Sequence, residues 1–447
     1  MKRKYFGTDG IRGKVGSKII NPQFILQLGW AAGKVLAKST TSQPFILIGK
    51  DTRHSCDLLE SALASGLMVA GVNVLSLGVL PTPAVAHFTH SLQATAGVII
   101  SASHNNFEDN GVKFFSKDGR KLDDALELEI ERKLMLPIEF SGKNNLGSLN
   151  IMSDAKVRYI EFCKSIFPPS LNLNGLKLVV DCAQGATCTV AKEIFSELGA
   201  EVILMANEPD GKNINDQCGS TYMSTIRDHV INQKADAGIA FDGDGDRLLM
   251  VDHNGTVVDG DELLCILACC NDNQQKAVAG VVGTAMSNLG LELALAKANI
   301  AFERTAVGDR YVLEKLLEKG WFLGGESSGH IINLNYTTTG DGLISALQIL
   351  SIMQRTKKNL QNLRQVMLKR PQILINVPVK NKIEIETSKV LLEALQNAEK
   401  ELQNAGRILL RSSGTEPVIR VMVEGDDEDL VQQIAEFLAE KVIQATQ

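Results

Sequence analysis

"LKLVVDCAQGATCTVAKEIFSELGAEVILMA", residues 176–206, decides the class of fold. LKLVVDC (176–182) is an apolar, β-branched run, and AEVILMA (200–206) repeats its character. Between them lies an amphipathic segment that predicts a helix near 189–198. Strand, amphipathic helix and strand make a βαβ unit, the mark of a mostly parallel sheet.

The same rhythm occurs on either side. FILIGKD (45–51), a helical stretch near 57–70 and VNVLSLG (72–78) form one unit; AVAGVVG (277–283), a helix near 288–298 and IAFERT (300–305) form another. A helix over about 22–37 has Asn21 as its cap and Pro22 at its first position. The end of the chain differs. QILINVPV (372–379), a charged helix near 388–403, RILLRSS (407–413), VIRVMVEG (418–425) and a helix from about 428 predict a small α+β domain. The chain of 447 residues is too long for one core. We therefore expect three similar mixed-sheet α/β domains, at 1–150, 151–258 and 259–368, and a smaller C-terminal α+β domain at 369–447.

Apolar residues make up 44% and charged residues 22%, the profile of a globular protein. No apolar run approaches the length of a transmembrane helix, and the basic start MKRKYFGTDG lacks the apolar segment of a secretory signal. The net charge of −6 argues against general nucleic-acid binding. Eight cysteines without a CxxC pair are expected as free thiols in a reducing cytoplasm. His87 and His90 receive no function.

Four polar loops each follow an apolar strand: AGVIIS into ASHNN, AGIAF into DGDGDR, GWFLG into GESSGH, and GRILL into RSSGTEP. Ligands of open α/β sheets bind beyond the carboxyl ends of strands, so four such loops are expected to line one central cleft.

The loop DGDGDR places Asp242, Asp244 and Asp246 in what is otherwise a buried run. Carboxylates about 4 Å apart repel by roughly 1 kcal/mol in water and about 4 kcal/mol at a protein-like dielectric. In an extended strand alternate residues lie roughly 6.6 Å apart, so the segment must curl, and Gly243 and Gly245 permit it. An all-oxygen set of three carboxylates suits a hard cation such as Mg²⁺. An EF-hand fails, with Arg247 at its sixth position and His253 at its twelfth. A haloacid-dehalogenase-type phosphatase motif is closer, but Asp246 holds its fifth position. A solvated acidic turn is the plain alternative.

In SASHNNFEDNGVKFF (101–115), Ser103 and His104 sit at a strand end, Asn105, Asn106 and Asn110 shape the turn, and Lys113 follows. Alone this is turn chemistry. Beside a magnesium loop, a seryl oxygen becomes a candidate phosphoryl carrier. GGESSGH (324–330) matches GxSxG, but extended chain follows where a hydrolase elbow needs a helix. Glu326, Ser328 and His330 suit sugar hydroxyls; a tight glycine turn is the alternative. RSSGTEPVIR (411–420) offers Arg411, Ser412, Ser413, Gly414, Thr415 and Arg420, a donor set suited to a fixed phosphate, against the alternative of a polar loop. FGTDGIRG (6–13) lacks the dinucleotide-binding spacing.

FGTDGIRG, SASHN, DGDGDR, GESSGH and RSSGTEP, in this order and spacing, resemble the α-D-phosphohexomutase superfamily along the whole chain. FGTDGIRG with GExSGH points to its glucosamine branch rather than the phosphomannomutase/phosphoglucomutase branch, which is the alternative together with a metal-dependent sugar phosphatase. A non-catalytic sugar-phosphate-binding protein is the third class. The resemblance implies four domains around a central cleft and an isomerase acting through phosphoserine at Ser103. It implies one Mg²⁺ held by Asp242, Asp244, Asp246 and a Ser103 phosphate oxygen, with Arg247 neutralising the phosphate. Lys113 and His330 match proton-transfer positions, His104 follows the serine, and Arg12 lies in a substrate-binding motif. The expected reaction interconverts glucosamine 6-phosphate and glucosamine 1-phosphate through a bound 1,6-bisphosphate, in the cytoplasm, feeding UDP-N-acetylglucosamine and cell-wall precursor synthesis. A hexose 1,6-bisphosphate activator and a homodimer stay open; no nucleic acid or membrane partner is expected. Asn106 departs from the family's usual Pro, and Ser327 from the branch's common Gln.

Overall fold

A computed structural model describes the chain apart from residues 1–2, 8, 40–42, 141, 143–144, 271–276, 380–384, 386–387, 404, 413–417 and 447. Its described strands form four sheets. The first contains β1 (Ile11–Lys14), β2 (Phe45–Lys50), β3 (Asn73–Val79), β4 (Ala96–Ile100), β5 (Asp109–Ser116) and β6 (Leu149–Ile151), in the order β1-β5-β4-β2-β3-β6. The second contains β7 (Lys177–Asp181), β8 (Glu201–Met205), β9 (Ala237–Phe241), β10 (Leu248–Asp252) and β11 (Val257–Val258), in the order β11-β10-β9-β7-β8. The third orders β12 (Gly280–Thr284), β13 (Ala301–Thr305), β14 (Leu323–Gly325) and β15 (Ile331–Asn333) as β13-β12-β14-β15. The fourth orders β16 (Gln372–Pro378), β17 (Gly406–Ser412) and β18 (Val418–Gly425) as β16-β18-β17.

The predicted βαβ units are present as parallel pairs: β2 with β3, β7 with β8, and β12 with β13. Each helix falls where its apolar periodicity placed it, at Cys56–Val69, Ala191–Glu197 and Leu289–Lys297. The first long helix, Pro22–Leu36, begins at Asn21, whose side chain accepts from the Phe24 N–H at 3.0 Å. It packs on Cys56–Val69 with almost no side chain between. A Cβ on Gly29 would lie 2.3 Å from the Leu63 carbonyl, and one on Gly66 2.1 Å from that of Leu26.

Each of the four polar loops joins antiparallel neighbours: β4 to β5, β9 to β10, β14 to β15, and β17 to β18. A strand end that returns as a hairpin leaves its loop at the sheet rim, clear of the crossover helices.

One apolar core runs through the first three sheets, from Leu47, Val85 and Phe115 through Tyr159 and Phe241 to Leu323 and Leu347. The small domain has a separate core of Val377, Leu391, Val421, Val423, Ile434 and Leu438. It meets the third unit through polar contacts. Glu424, fully buried, accepts from Leu289 N–H at 3.1 Å and from Arg407 Nε at 2.7 Å, and Arg407 also reaches the carbonyls of Ala285 and Ser287. No described helix is long and apolar enough to cross a membrane.

Candidate active site

The DGDGDR loop curls as its charges require. Gly245 takes φ +72° and its N–H donates to the Asp242 carbonyl at 3.1 Å. Asp242, Asp244 and Asp246 are all buried, and one carboxylate oxygen from each lies within 4.8 Å of the others. Asp244 Oδ1 and Asp246 Oδ1 are buried without a hydrogen-bond partner among the described residues. Two orphaned carboxylate oxygens beside a third acid are what a hard cation would satisfy, so the residues fit a divalent metal.

Protein cations offset part of this charge. Lys113 Nζ, from β5, lies 2.8 Å from Asp244 Oδ2 and 3.1 Å from Asp9 Oδ2. Burial alone would discharge Lys113, but Asp244 and Asp9 hold it protonated well above the usual lysine range. Burial alone would raise Asp244, but the charge and hydrogen bond of Lys113, the Thr82 hydroxyl and the charge of Arg12 together hold it below the ordinary carboxylate range. Asp242 moves the other way, raised by burial and by the charges of Asp246 and Asp244. The Arg247 N–H donates to Asp242 Oδ1 at 3.1 Å, while its Nε stays 4.0 Å from the Asp242 and Asp246 carboxylates. Arg12, on β1, pairs with Asp9.

Ser103 sits after β4, buried and in the left-handed region at φ +53°. Its Oγ donates to Asp242 Oδ2 at 2.7 Å and lies 3.3 Å from His104 Nδ1. Burial and the neighbouring Arg247 and Arg12 push the His104 ring down to about 4, so it is neutral at physiological pH. A Cβ on Gly243 would lie 2.6 Å from the Ser103 carbonyl, so the first glycine of DGDGDR is what lets the two loops meet.

GESSGH is a hairpin between β14 and β15, not a strand-to-helix elbow. Gly329, at φ +90°, packs so closely on the Leu248 carbonyl that a Cβ would approach to 2.1 Å, which seats this loop against β10. Glu326 Oε1 accepts from Gly308 N–H at 2.9 Å, and Ser328 Oγ is buried without a described partner. The His330 ring rests on Gly340; its Nε2 stands 4.0 Å from Asp246 and 3.7 Å from Asp309, with neither ring nitrogen hydrogen-bonded among the described residues.

The fourth loop is different. Arg411 and Arg420 face each other across β17 and β18, in the small domain. Burial and the charge of Arg420 lower the Arg411 guanidinium from its usual value. Ser413, Gly414, Thr415 and the Ser412 side chain lie outside the described residues.

The structure adds groups that the sequence did not single out. Thr82 Oγ1 donates to Asp244 Oδ2 at 2.6 Å. Lys121 bridges Asp9 and Asp309, at 2.5 Å and 2.6 Å, and so ties the first unit to the third. Arg53 and Asn215 both donate to the Ser103 carbonyl, at 3.0 Å and 2.8 Å. Asp9 lay inside a quoted motif; the others carried no local signal.

Four family models match in order: phosphoglucomutase/phosphomannomutase alpha/beta/alpha domain I at residues 3–135, domain II at 157–255, domain III at 259–370 and the C-terminal domain at 374–441. The chain belongs to the phosphoglucomutase/phosphomannomutase family, and is a mutase of the phosphohexomutase class. Within it, the chain stands among the phosphoglucosamine mutases. Proteins of that name from Coxiella burnetii (strain CbuG_Q212) and Thioalkalivibrio sulfidiphilus are 59% and 55% identical to it. The first alignment covers 100% of both chains, the second 99% of this chain and 98% of the relative. In fold it is similar to a phosphoglucomutase/phosphomannomutase family protein of Burkholderia thailandensis, with a TM-score of 0.81, 22% identity and coverage of 99% and 98%. It is also similar to Aspergillus fumigatus N-acetylphosphoglucosamine mutase in complex with GlcNAc-6P and magnesium, with a TM-score of 0.70, 17% identity and coverage of 100% and 96%.

Proposed function

We propose that this mutase interconverts glucosamine 6-phosphate and glucosamine 1-phosphate by passing a phosphoryl group to and from Ser103. The observation that carries the reading is the meeting of Ser103 Oγ with the three-aspartate cluster, at 2.7 Å from Asp242. A serine aimed at an acidic cluster is poorly placed to be a free nucleophile, but well placed to hold a phosphate beside a cation. Asp242, Asp244, Asp246 and Ser103 would hold Mg²⁺, which when bound withdraws charge from the phosphoryl group. The relatives' names support the amino-sugar substrate, and the magnesium in the Aspergillus complex supports the choice of metal.

In the forward half-reaction the sugar O1 attacks the phosphorus, the bond from phosphorus to Ser103 Oγ breaks, and a 1,6-bisphosphate forms. The bisphosphate turns over and returns its 6-phosphate to Ser103. Arg247 and Arg12 neutralise the travelling phosphate, and His330, whose ring nitrogens have no described protein partner, exchanges the proton of the sugar hydroxyl. Lys113, held protonated by Asp244 and Asp9, carries the balancing positive charge at a position matched to proton transfer; His104, neutral beside Ser103 Oγ, orients that hydroxyl. Glu326 and Ser328 accept and donate to sugar hydroxyls. Arg411, Ser412, Ser413, Gly414, Thr415 and Arg420 grip the phosphate that is not moving. Most of the rate enhancement comes from positioning and charge neutralisation. We divide the chain near residues 150, 258 and 368, with the small domain as the closing element, and place the reaction in the cytoplasm on its eight cysteines, all free thiols.

The test is phosphosite mapping of the purified protein together with an assay of both sugar phosphates. Phosphate on Ser103 and equilibration of the two isomers are expected. Release of inorganic phosphate as the main product would identify a phosphatase instead.

A further inference from the structure

Arg53 has no part in the chemistry described above, yet it is buried directly beneath the serine loop. Its guanidinium donates to the carbonyls of Ser103 at 3.0 Å, Asn105 at 2.8 Å and Asp109 at 3.1 Å, and also to that of Asn106. Its Nε donates to Asp51 at 2.9 Å. Four carbonyls of one loop therefore turn inward onto one planar cation, the five-donor fork that only arginine supplies.

A closed circuit of hydrogen bonds results. The Ser103 N–H donates to Ser101 Oγ at 2.9 Å, Ser101 Oγ donates to Asp51 at 2.6 Å, Asp51 accepts from Arg53, and Arg53 returns to the Ser103 carbonyl. Asn215, from the second unit, donates to the carbonyls of both Ser103 and Asn105 at 2.8 Å. Ser103 thus has its N–H and both carbonyl lone pairs fixed, in a left-handed conformation that a non-glycine residue adopts only when its surroundings hold it there. The Asn106 carbonyl is held by Arg53, and its side chain accepts from Glu108 N–H at 3.2 Å.

We propose that Arg53, with Asn215 opposing it, is the positioning residue that aims Ser103 Oγ for both directions of transfer. The inference rests on the reading of Ser103 as phosphoryl carrier. A mutase needs the same serine oxygen as leaving group in one half-reaction and as acceptor in the other. A fixed backbone serves both, where a loose loop would serve neither. Misplacement by about 1 Å costs roughly 100-fold in rate.

The test uses full-length protein phosphorylated with a hexose 1,6-bisphosphate and mixed with glucosamine 6-phosphate in a single turnover. The rate constant for loss of phosphate from Ser103 is independent of how much of the sample is folded. Arg53→Lys keeps the charge but cannot reach four carbonyls, and should lower that constant roughly 100-fold while sugar-phosphate affinity changes by about 3-fold or less. Asn215→Ala, at a partly exposed position, should lower it in the same sense if Arg53→Lys proves unstable. Guanidinium ion added to Arg53→Ala should recover part of the loss. Wild-type phosphoryl transfer in both Arg53→Lys and Asn215→Ala would overturn the inference alone. Absence of phosphate on Ser103 in the wild-type protein would overturn the underlying reading and this inference with it.

Discussion

The hydroxyl of Ser103 donates to the Asp242 carboxylate at 2.7 Å, joining the hairpin loop of the first sheet to that of the second. Ser101, two residues earlier, faces away from the acids and is bonded to Asp51 and the Ser103 N–H. Ser103→Ala should therefore abolish phosphate incorporation and nearly all turnover, whereas Ser101→Ala should retain the phosphosite with reduced turnover. Phosphopeptide mapping of both variants decides, and label confined to Ser101 would reverse the assignment.

Metal removal should stop catalysis without unfolding the chain. The cores of the four sheets do not run through the DGDGDR loop. A bound cation at 100 times its dissociation constant adds about 2.7 kcal/mol to stability, a modest shift for a protein of this size. Chelator titration followed by activity and by thermal unfolding checks this. Collapse of the fold on chelation would show a structural metal.

Lys113 and a divalent cation share the task of balancing the aspartates. Lys113→Met removes the partner of buried Asp244 at 2.8 Å, a loss of about 3–5 kcal/mol for a broken buried pair. Added Mg²⁺ should restore part of that stability, so its effect on the melting temperature should be larger in Lys113→Met than in wild type. Equal shifts in the two proteins would separate Lys113 from the metal site.

Arg411 stands opposite Arg420 on adjacent strands, and the like charge of Arg420 adds to burial in lowering the Arg411 guanidinium. Arg411→Ala should leave the stability of the small domain unchanged or slightly raised. It should weaken glucosamine 6-phosphate and glucosamine 1-phosphate alike, by about 10- to 150-fold for a charge-assisted contact. Calorimetric binding of both isomers to the phosphorylated variant measures it. Unchanged affinity for both contradicts the role.

Asp261, at the start of the helix that abuts the GESSGH loop, gives a pH signature of its own. Its carboxyl, bonded to Asn288 N–H at 2.8 Å, is pushed up to about 7 by burial and by the charge of Asp259. Between about pH 4 and pH 7 the unfolded chain has released this proton while the folded chain keeps it, so this group's contribution to stability is lost as pH rises. Asp261→Asn should gain on wild type from pH 5 to pH 8, by on the order of a few kcal/mol. Thermal unfolding at both values tests it; a constant difference would show that Asp261 does not titrate there.

The βαβ units were legible because apolar runs and helical periodicity are local signals. Strands such as β1, β6 and β11, with four residues or fewer, are too short to carry a period and emerge only from pairing. The residues that meet around the aspartate cluster were legible because Ser103, Asp242, Asp244, Asp246, Arg247 and His330 fall in short polar loops after apolar strands, with Lys113 on the strand that follows the serine loop. Their supports were not. Arg53 reaches Ser103 across 50 residues, Asn215 across 112, and Lys121 reaches Asp309 across 188. An arginine after GKDT or an asparagine in KNIN is unremarkable until the fold sets it beneath the serine.

The central claim is that one phosphoryl group moves between Ser103 and the sugar without passing to water. Enzyme carrying isotopically labelled phosphate on Ser103 should be mixed with unlabelled glucosamine 6-phosphate and quenched over milliseconds to seconds. The account predicts that label leaves Ser103 and appears first in glucosamine 1,6-bisphosphate. It should then pass into glucosamine 1-phosphate, with inorganic phosphate remaining a minor product. Label that stays on Ser103 while the isomers equilibrate, or that goes directly to inorganic phosphate, would contradict it.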